Sequence, residues 1–213
     1  MDTWVLAALW ESETEAEEHM LAALLPPQRL ARMTHGSGRK TIQILAAYAL
    51  LHYGARRFWG VTSLPEMAYG ATGKPVFLND PAHHFNLSHT DGLALCAFSD
   101  APVGVDGERL RPVDPALAER LRIEGKDAAF FEEWTARESC VKRHGGSAAA
   151  CRAPVLPERG EQIFRLHTTP AFAAAVCARS DAPIHLEQMD FQTLLQRLTP
   201  PVKLPPSCAG TIR

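Results

Sequence analysis

The pattern of hydrophobic and polar positions predicts short strands interleaved with a few helices. An apolar run over residues 3–10 predicts a buried opening strand, and residues 13–25 predict a helix that ends at Pro26. A broad apolar stripe at helical spacing over residues 40–53 predicts a central, well-buried helix. Further helices are predicted over residues 114–121, 126–144 and 191–198.

The other apolar segments are short and predict strands. Extended segments are predicted over residues 61–64, 67–69, 76–78, 85–89, 93–98, 103–108, 162–167, 172–179 and 184–190. A short turn joins residues 93–98 to residues 103–108, so these two strands are expected to pair as a hairpin. Helices and runs of short strands in both halves favour the α+β class over a doubly wound parallel sheet. Residues 200–213 are proline-rich and predict an irregular tail.

Composition and charge narrow the function classes. The chain has 213 residues, enough for one large domain or two small ones with their own cores. A formal net charge of −2 disfavours a general nucleic-acid binder, and no apolar run reaches the length of a membrane span. The N-terminus lacks the basic start of a secretory signal. Five scattered cysteines without a C-x-x-C pair favour reduced thiols, so we expect a cytoplasmic protein.

Two carboxylates, Asp106 and Glu108, share the predicted strand over residues 103–108. Alternate residues of a strand point to the same face, so these side chains would project side by side. Such a pair repels unless a cation lies between the carboxylates, and Mg²⁺ is the usual solution. A charged edge strand that discourages aggregation is the alternative interpretation of this stretch by itself.

A third carboxylate and several basic residues extend the candidate site. Glu138 lies one helical turn before Lys142, where a surface ion pair is the alternative interpretation. Together with Asp106 and Glu108, Glu138 would give Mg²⁺ three oxygen ligands and leave positions for water and phosphate. The basic residues that could bind phosphate groups are Arg29, Arg32, Lys40, Lys74 and His89. This set suits the binding of a polyphosphate while a phosphodiester bond breaks.

Four motifs carry a resemblance to a known family. They are Gly73-Lys-Pro75, Phe85-Asn-Leu-Ser-His89, Val103-Gly-Val-Asp-Gly-Glu108 and Trp134-Thr-Ala-Arg-Glu-Ser-Cys-Val-Lys142. In this order they resemble the surfactin-synthetase-type 4′-phosphopantetheinyl transferases. The resemblance implies an α+β monomer of two similar α/β halves, related by a pseudo-twofold axis with the active site between them. The halves would comprise residues 1–102 and 103–199, followed by the tail over residues 200–213.

The resemblance also implies an activity. The protein would transfer 4′-phosphopantetheine from coenzyme A to a serine of an acyl or peptidyl carrier protein, leaving 3′,5′-ADP. Such carriers serve fatty-acid, polyketide or nonribosomal-peptide biosynthesis. Mg²⁺ would be bound by Asp106, Glu108 and Glu138 against the pyrophosphate of coenzyme A.

Roles for individual residues follow from the same resemblance. The catalytic residues would be Glu138, Lys142 and Asp106, with Glu138 as the base that accepts the serine proton directly or through a water. The residues assigned to coenzyme A are Arg29, Arg32, Lys40, Lys74, Ser88, His89 and Lys142. Among these, Lys74 would lie beside the adenine and ribose, and Ser88 would contact the 3′-phosphate.

Three features depart from the family pattern. Gly107 stands where an aliphatic residue usually separates the two carboxylates, which removes a side chain from the opposite face of the strand. Arg137 replaces the usual lysine before the helix glutamate and keeps its charge. Residues 147–160 are rich in alanine and proline and lack the usual sequence of the family.

Other functions fit part of the same residue set. A Mg²⁺-dependent phosphodiester hydrolase would need no carrier protein, and a family member without transfer activity would only bind coenzyme A or the carrier. A zinc site at His83, His84 and His89 is disfavoured because no cysteine or carboxylate is spaced to complete it. Ser88 and His89 cannot form a nucleophile–base pair, since neighbours on a strand point to opposite faces.

Overall fold

The computed structural model describes residues 2–11, 21–22, 25 and 39–198. Most of the predicted helix over residues 13–25 lies outside these ranges, as do Arg29, Arg32 and the predicted tail over residues 200–213. Leu21 and Leu25 are described, and both are buried. Every helix in the described ranges is too short or too polar to pass through a lipid bilayer.

The described residues form strands and helices of an α+β fold, which confirms the predicted class. The strands are β1 (Thr3–Leu9), β2 (Met67–Tyr69), β3 (Pro75–Phe77), β4 (His84–Thr90), β5 (Leu93–Ser99), β6 (Gly104–Arg109), β7 (Glu161–Arg165), β8 (Phe172–Arg179) and β9 (Ile184–Asp190). The helices are α1 (Arg39–Trp59), α2 (Pro115–Leu121), α3 (Ala128–Arg143) and α4 (Phe191–Leu198), with a 3-10 helix at Ala148–Arg152. Residues 61–64, predicted to be extended, form no strand.

The strands form two larger sheets and a small hairpin. The main sheet has the order β4-β5-β1-β9, in which β9 runs parallel to β1 and the other neighbours are antiparallel. The second sheet has the order β6-β8-β7 and is antiparallel, and β2 pairs with β3. The predicted β5–β6 hairpin is therefore wrong. Both edges of β5 are taken by β4 and β1, so β6 pairs with β8 instead.

The main sheet is buried on both faces. On one face, Leu6 and Ala8 of β1 pack in the same core as α1, while Val5 and Ala7 pack toward the second sheet. Burial on both faces explains why β1 and β5 are continuous apolar runs and do not alternate with polar residues. The phenyl ring of Phe98 fills the space beside Gly54 of α1, where a Cβ would lie 2.1 Å from a ring carbon.

Helix α3 packs directly on the backbone of β6. A Cβ at Gly104 would lie 2.0 Å from the Ser139 carbonyl oxygen and 2.4 Å from the Arg143 nitrogen. Glycine is therefore required at this position for the helix to approach the strand so closely. The consequence for the site is that side chains of α3 reach side chains of β6.

Candidate active site

Three polar side chains of β4 join the main sheet to the edge of the second sheet. They accept hydrogen bonds from backbone amides of β6 in the pairs Asn86–Val105 at 2.8 Å, Ser88–Gly107 at 3.3 Å and Thr90–Arg109 at 3.5 Å. Alternate residues of β4 make these contacts because they point from one face of the strand. Side chains thus satisfy the amides at the edge of β6 that pairs with no strand among the described residues.

Lys142 of α3 lies at the centre of the candidate site. Its Nζ is 2.5 Å from Oδ1 of Asp106, 3.3 Å from Oγ of Ser88 and 3.5 Å from Oε2 of Glu138. The Ser88 hydroxyl donates to the same Asp106 oxygen at 2.8 Å. Glu138 and Lys142 share a helix face because they are four residues apart. The structure therefore brings together Asp106, Ser88, Glu138 and Lys142.

Burial and neighbouring charges shape the electrostatics of this cluster. Burial, and then the charge of Asp106, raises the pKa of Glu138, and the same two causes raise the pKa of Glu108. Burial acts to lower the pKa of Lys142, but the negative charges of Asp106 and Glu138 raise it by more than this. The pKa of Lys142 therefore lies above the usual value. Glu108 also pairs with Arg111 at 3.1 Å. Three carboxylates against these two cations leave the cluster negative, which favours a cation.

One carboxylate oxygen of the cluster is left without a partner. The Asp106 side chain is 5% exposed, and its Oδ2 has no hydrogen-bond partner in the described structure. A buried carboxylate oxygen without a partner is costly, and an oxygen-seeking cation such as Mg²⁺ would satisfy it. Asp106, Glu108 and Glu138 are therefore a chemically suitable donor set for Mg²⁺.

The carboxylates themselves are spread around the lysine. Within the described ranges, the oxygens of Asp106, Glu108 and Glu138 do not form a group lying within 4.8 Å of one another. The Lys142 ammonium contacts both Asp106 and Glu138, so it holds the place between two of the candidate ligands. A lysine in this position and a metal ion would share the same carboxylates.

Gly107 has a packing role on the face opposite the carboxylates. A Cβ there would lie 2.7 Å from Cδ1 of Leu95 and 3.1 Å from Cδ2 of Leu93. These two leucines of β5 occupy the space that a larger side chain at position 107 would need. Gly107 thus leaves room for two leucines of the main sheet. This departure from the family pattern changes the packing on the opposite face of β6 and leaves the carboxylate face unaltered.

Lys74 lies at the C-terminal end of α3. Its Nζ donates to the carbonyl oxygens of Val103 at 3.1 Å, Lys142 at 2.6 Å and Arg143 at 3.2 Å. These three bonds use all three donors of the ammonium, and two of the acceptors are carbonyls at the C-terminal end of α3. Burial and the charge of Arg143 lower the pKa of Lys74 to about 8. The assignment of Lys74 to adenine and ribose stays a prediction, and in this arrangement its ammonium is engaged by the backbone.

His89 and Ser88 lie on opposite faces of β4, as predicted for strand neighbours. Nδ1 of His89 is 3.3 Å from Oε1 of Gln43, on the first turns of α1 that also carry the exposed Lys40. The structure therefore places His89 near the start of α1 and Ser88 beside Asp106. It does not bring both to one face, so their shared assignment to the phosphates stays a prediction.

A cavity of about 140 Å³ opens on the His89 face of β4. Its lining includes Tyr48 of α1, Tyr69 of β2, and Gly73 and Pro75 from the Gly-Lys-Pro motif. The two tyrosine hydroxyl groups are 3.4 Å apart. The predicted site residues do not include Gln43, Tyr48 or Tyr69, because a polar or aromatic residue on an apolar helix or strand carries no functional signal of its own.

Arg137 is a structural residue and does not belong to the carboxylate cluster. Its guanidinium is buried and donates to the Leu121 carbonyl at 2.8 Å, the Arg122 carbonyl at 3.3 Å and Glu133 at 2.7 Å. It also reaches the Cys151 carbonyl at 3.4 Å. Arg137 thereby ties α3 to the end of α2 and to the 3-10 helix, because its planar guanidinium carries five donors that point in several directions.

Comparison with known proteins identifies relatives that are named 4′-phosphopantetheinyl transferases. No family model matches the chain. The 4′-phosphopantetheinyl transferase psf-1 of Bacillus pumilus is 33% identical over 59% of this chain and 66% of its own length. The 4′-phosphopantetheinyl transferase AcpT of Salmonella typhi is 39% identical over 41% of this chain and 54% of its own length. AcpT of Escherichia coli (strain K12) is 32% identical over 60% of this chain and 69% of its own length. The chain thus spans less than two thirds of the Bacillus pumilus and Salmonella typhi relatives.

Proposed function

Because this chain belongs to the 4′-phosphopantetheinyl transferase family, we propose that it transfers 4′-phosphopantetheine from coenzyme A to a serine of an acyl or peptidyl carrier protein. The products are the holo carrier protein and 3′,5′-ADP. The observation that supports this most is the buried Asp106, which contacts Lys142 and keeps one oxygen without a partner. The proposal includes a cytoplasmic monomer with two similar halves that meet near this residue.

Mg²⁺ would be bound by Asp106, Glu108 and Glu138. When bound, it would neutralise charge on the pyrophosphate and polarise its phosphoryl oxygens. Support comes from the hard oxygen donors, the net negative charge of the cluster and the open Oδ2 of Asp106. The Ser88 hydroxyl and the Lys142 ammonium hold Asp106 from its other oxygen, Oδ1, which orients Oδ2.

The transfer forms one bond and breaks another at the same phosphorus. The serine oxygen of the carrier bonds to the β-phosphorus of coenzyme A, and the bond from that phosphorus to the oxygen of 3′,5′-ADP breaks. The serine proton goes to Glu138, which lies beside Lys142. Lys142 stabilises the negative charge on the diphosphate as the leaving group departs.

Coenzyme A binding would use the other face of β4 as well. Lys40 and His89 lie near the start of α1, where a helix N-terminus also favours phosphate, and they would bind the 3′-phosphate. The cavity beside Tyr48 and Tyr69 offers aromatic surface to the adenine. Arg29 and Arg32, outside the described residues, would add charge to the same phosphate.

A single experiment separates this function from its rivals. The protein is incubated with coenzyme A, Mg²⁺ and a panel of apo carrier proteins, and both the carrier mass and the released 3′,5′-ADP are measured. We expect one phosphopantetheine added per carrier and one 3′,5′-ADP released. Release of 3′,5′-ADP without a mass increase would instead indicate a hydrolase. Coenzyme A binding with neither product, under conditions where a known transferase works, would indicate a member without transfer activity.

A further inference from the structure

Helix α3 carries a second cluster of metal-binding side chains, on the side away from Glu138 and Lys142. Cys140 and His144 are four residues apart near the end of the helix, so they lie on one face. Glu161 of β7 meets them there. One candidate ligand atom from each of the three residues lies within 4.8 Å of the other two. Among the residues that the structure describes, this is the one group of three or more His, Cys, Asp or Glu side chains that lie close enough together to bind a metal ion.

We propose that Cys140, His144 and Glu161 bind a divalent transition-metal ion, with Zn²⁺ as the best-fitting ion. Thiolate sulfur, imidazole nitrogen and carboxylate oxygen are the three ligand types that Zn²⁺ uses in proteins. Mg²⁺ avoids thiolate, so this site is chemically distinct from the carboxylate cluster. Three protein ligands leave a fourth position of a tetrahedral ion to a water.

The surroundings orient the carboxylate toward the cluster. Oε1 of Glu161 accepts a hydrogen bond from Nε of Arg143 at 2.6 Å. Oε2 lies 3.0 Å from Nε2 of His144 and accepts from the Glu158 backbone nitrogen at 3.1 Å. Because Arg143 holds the other oxygen, Oε2 is the one that faces His144. Hydrogen bonds of this kind around a ligand are typical of protein metal sites.

Burial and a neighbouring thiol complete the site. The Cys140 residue is 1% exposed and the Glu161 side chain 10%, whereas the His144 side chain is 38% exposed. An ion would therefore enter past His144 and reach a sulfur sheltered from solvent. Burial raises the pKa of the Cys140 thiol, and a hydrogen bond donated by the Cys177 thiol offsets this only in part, so a bound ion would have to displace the Cys140 proton.

The cluster links α3 to the second sheet. Cys140 and His144 belong to the last turn and the end of the helix, and Glu161 opens β7. An ion bound to all three would fix the helix end that also carries Lys142. Binding to the folded state alone would raise the thermal midpoint of unfolding.

The test uses Co²⁺, which replaces Zn²⁺ and gives a sulfur-to-cobalt charge-transfer absorption when a thiolate is a ligand. Metal-free full-length protein is titrated with Co²⁺, and Zn²⁺ is then added. We expect the thiolate absorption to appear with one equivalent and to disappear as Zn²⁺ displaces Co²⁺. Absence of the thiolate absorption in the wild-type protein would overturn the proposal.

Variants assign the ligands. Cys140→Ser should remove the absorption, and His144→Ala, at an exposed position that tolerates truncation, should weaken Co²⁺ binding about tenfold or more. Cys151→Ser, a matched change at a buried thiol outside the cluster, should retain it. Asp106→Asn should retain it as well, which separates this site from the carboxylate cluster. Retention in Cys140→Ser, or unchanged affinity in His144→Ala, would overturn the ligand assignment.

Discussion

The Lys142 ammonium lies 2.5 Å from Oδ1 of Asp106, and this contact joins the end of α3 to β6. The same ammonium lies 3.5 Å from Oε2 of Glu138, so one lysine contacts two carboxylates that the proposed function assigns to Mg²⁺. In the proposed function, the lysine and the metal would compete for the same oxygens until a bound diphosphate pairs with the lysine. Substrate binding would then exchange one cation contact for another.

Replacing Lys142 should separate its competition with Mg²⁺ for the carboxylates from its proposed role in stabilising the diphosphate. In Lys142→Met we expect kcat/KM for transfer to fall about a hundredfold, equivalent to about 2.7 kcal/mol of transition-state stabilisation. We also expect Mg²⁺ to raise the thermal midpoint of this variant more than that of the wild type, because the carboxylates lose their competing cation. Differential scanning calorimetry with and without Mg²⁺ measures the second effect.

Arg165→Ala is the matched control for this substitution. It removes one cation of an ion pair with Glu132 on α3, in which both side chains are about half exposed. Loss of such a surface pair costs about 1 kcal/mol or less. A Lys142→Met protein that transfers as fast as Arg165→Ala would contradict the proposed role of Lys142 in transfer. A variant whose thermal midpoint does not rise with Mg²⁺ more than that of the wild type would show that Lys142 does not compete with the metal.

The close contact of α3 and β6 at Gly104 should be intolerant of any side chain. Gly104→Ala places a methyl group 2.0 Å from the Ser139 carbonyl oxygen, so the helix must move away. We expect a loss of about 1–3 kcal/mol in the free energy of unfolding, measured by urea denaturation, together with reduced transfer. Gly70→Ala is the control, since its Cβ would make an ordinary 3.8 Å contact. Equal stability of the two variants would contradict the packing described.

Lys74 should make the stability of the fold depend on pH in the alkaline range. Its pKa is about 8 in the folded protein and 10.5 for an ordinary lysine. Below pH 8 both states carry the proton, whereas between the two values the folded state releases it and the unfolded state retains it. The contribution of Lys74 to the free energy of unfolding therefore rises with pH over this window.

Urea denaturation at several pH values between 7 and 10 tests this prediction. The difference in unfolding free energy between the wild type and Lys74→Met should shift in favour of the wild type as the pH rises. The same substitution at the exposed Lys126 controls for the loss of a lysine. A Lys74→Met difference that stays constant, or that moves the other way, would refute the lowered pKa.

Periodicity predicts contacts within one element but not between elements. It could pair Asp106 with Glu108 on the strand and Glu138 with Lys142 on the helix, whereas the grouping of the two pairs rested on the family resemblance, and the site roles of these residues stay predictions. The predicted β5–β6 hairpin was wrong because one edge of β5 is taken by β4, which precedes it across an even shorter turn, and the other edge by β1 from the start of the chain.

Other features of the site depend on contacts between distant segments. The carbonyls bound by Lys74 belong to Val103, just before β6, and to the end of α3, and residue type does not predict which backbone carbonyls will accept a hydrogen bond. The Cys140–His144 spacing was a readable signal on a helix, but its carboxylate partner lies across the fold on β7. The clustering of His83, His84 and His89 in the sequence instead suggested a zinc site at those residues, which the lack of a suitably spaced cysteine or carboxylate disfavours.

The central claim is that Asp106 binds the metal that transfer requires. The most direct test is the initial rate of holo carrier protein formation, followed by mass spectrometry, as a function of Mg²⁺ for the wild type and for Asp106→Asn. We predict that the wild-type rate saturates with Mg²⁺ and vanishes with a chelator. At the same Mg²⁺ concentrations, Asp106→Asn should retain the circular dichroism of the folded protein and transfer at least about a hundredfold more slowly. A folded Asp106→Asn protein with a near-wild-type rate and the same Mg²⁺ dependence would contradict the claim.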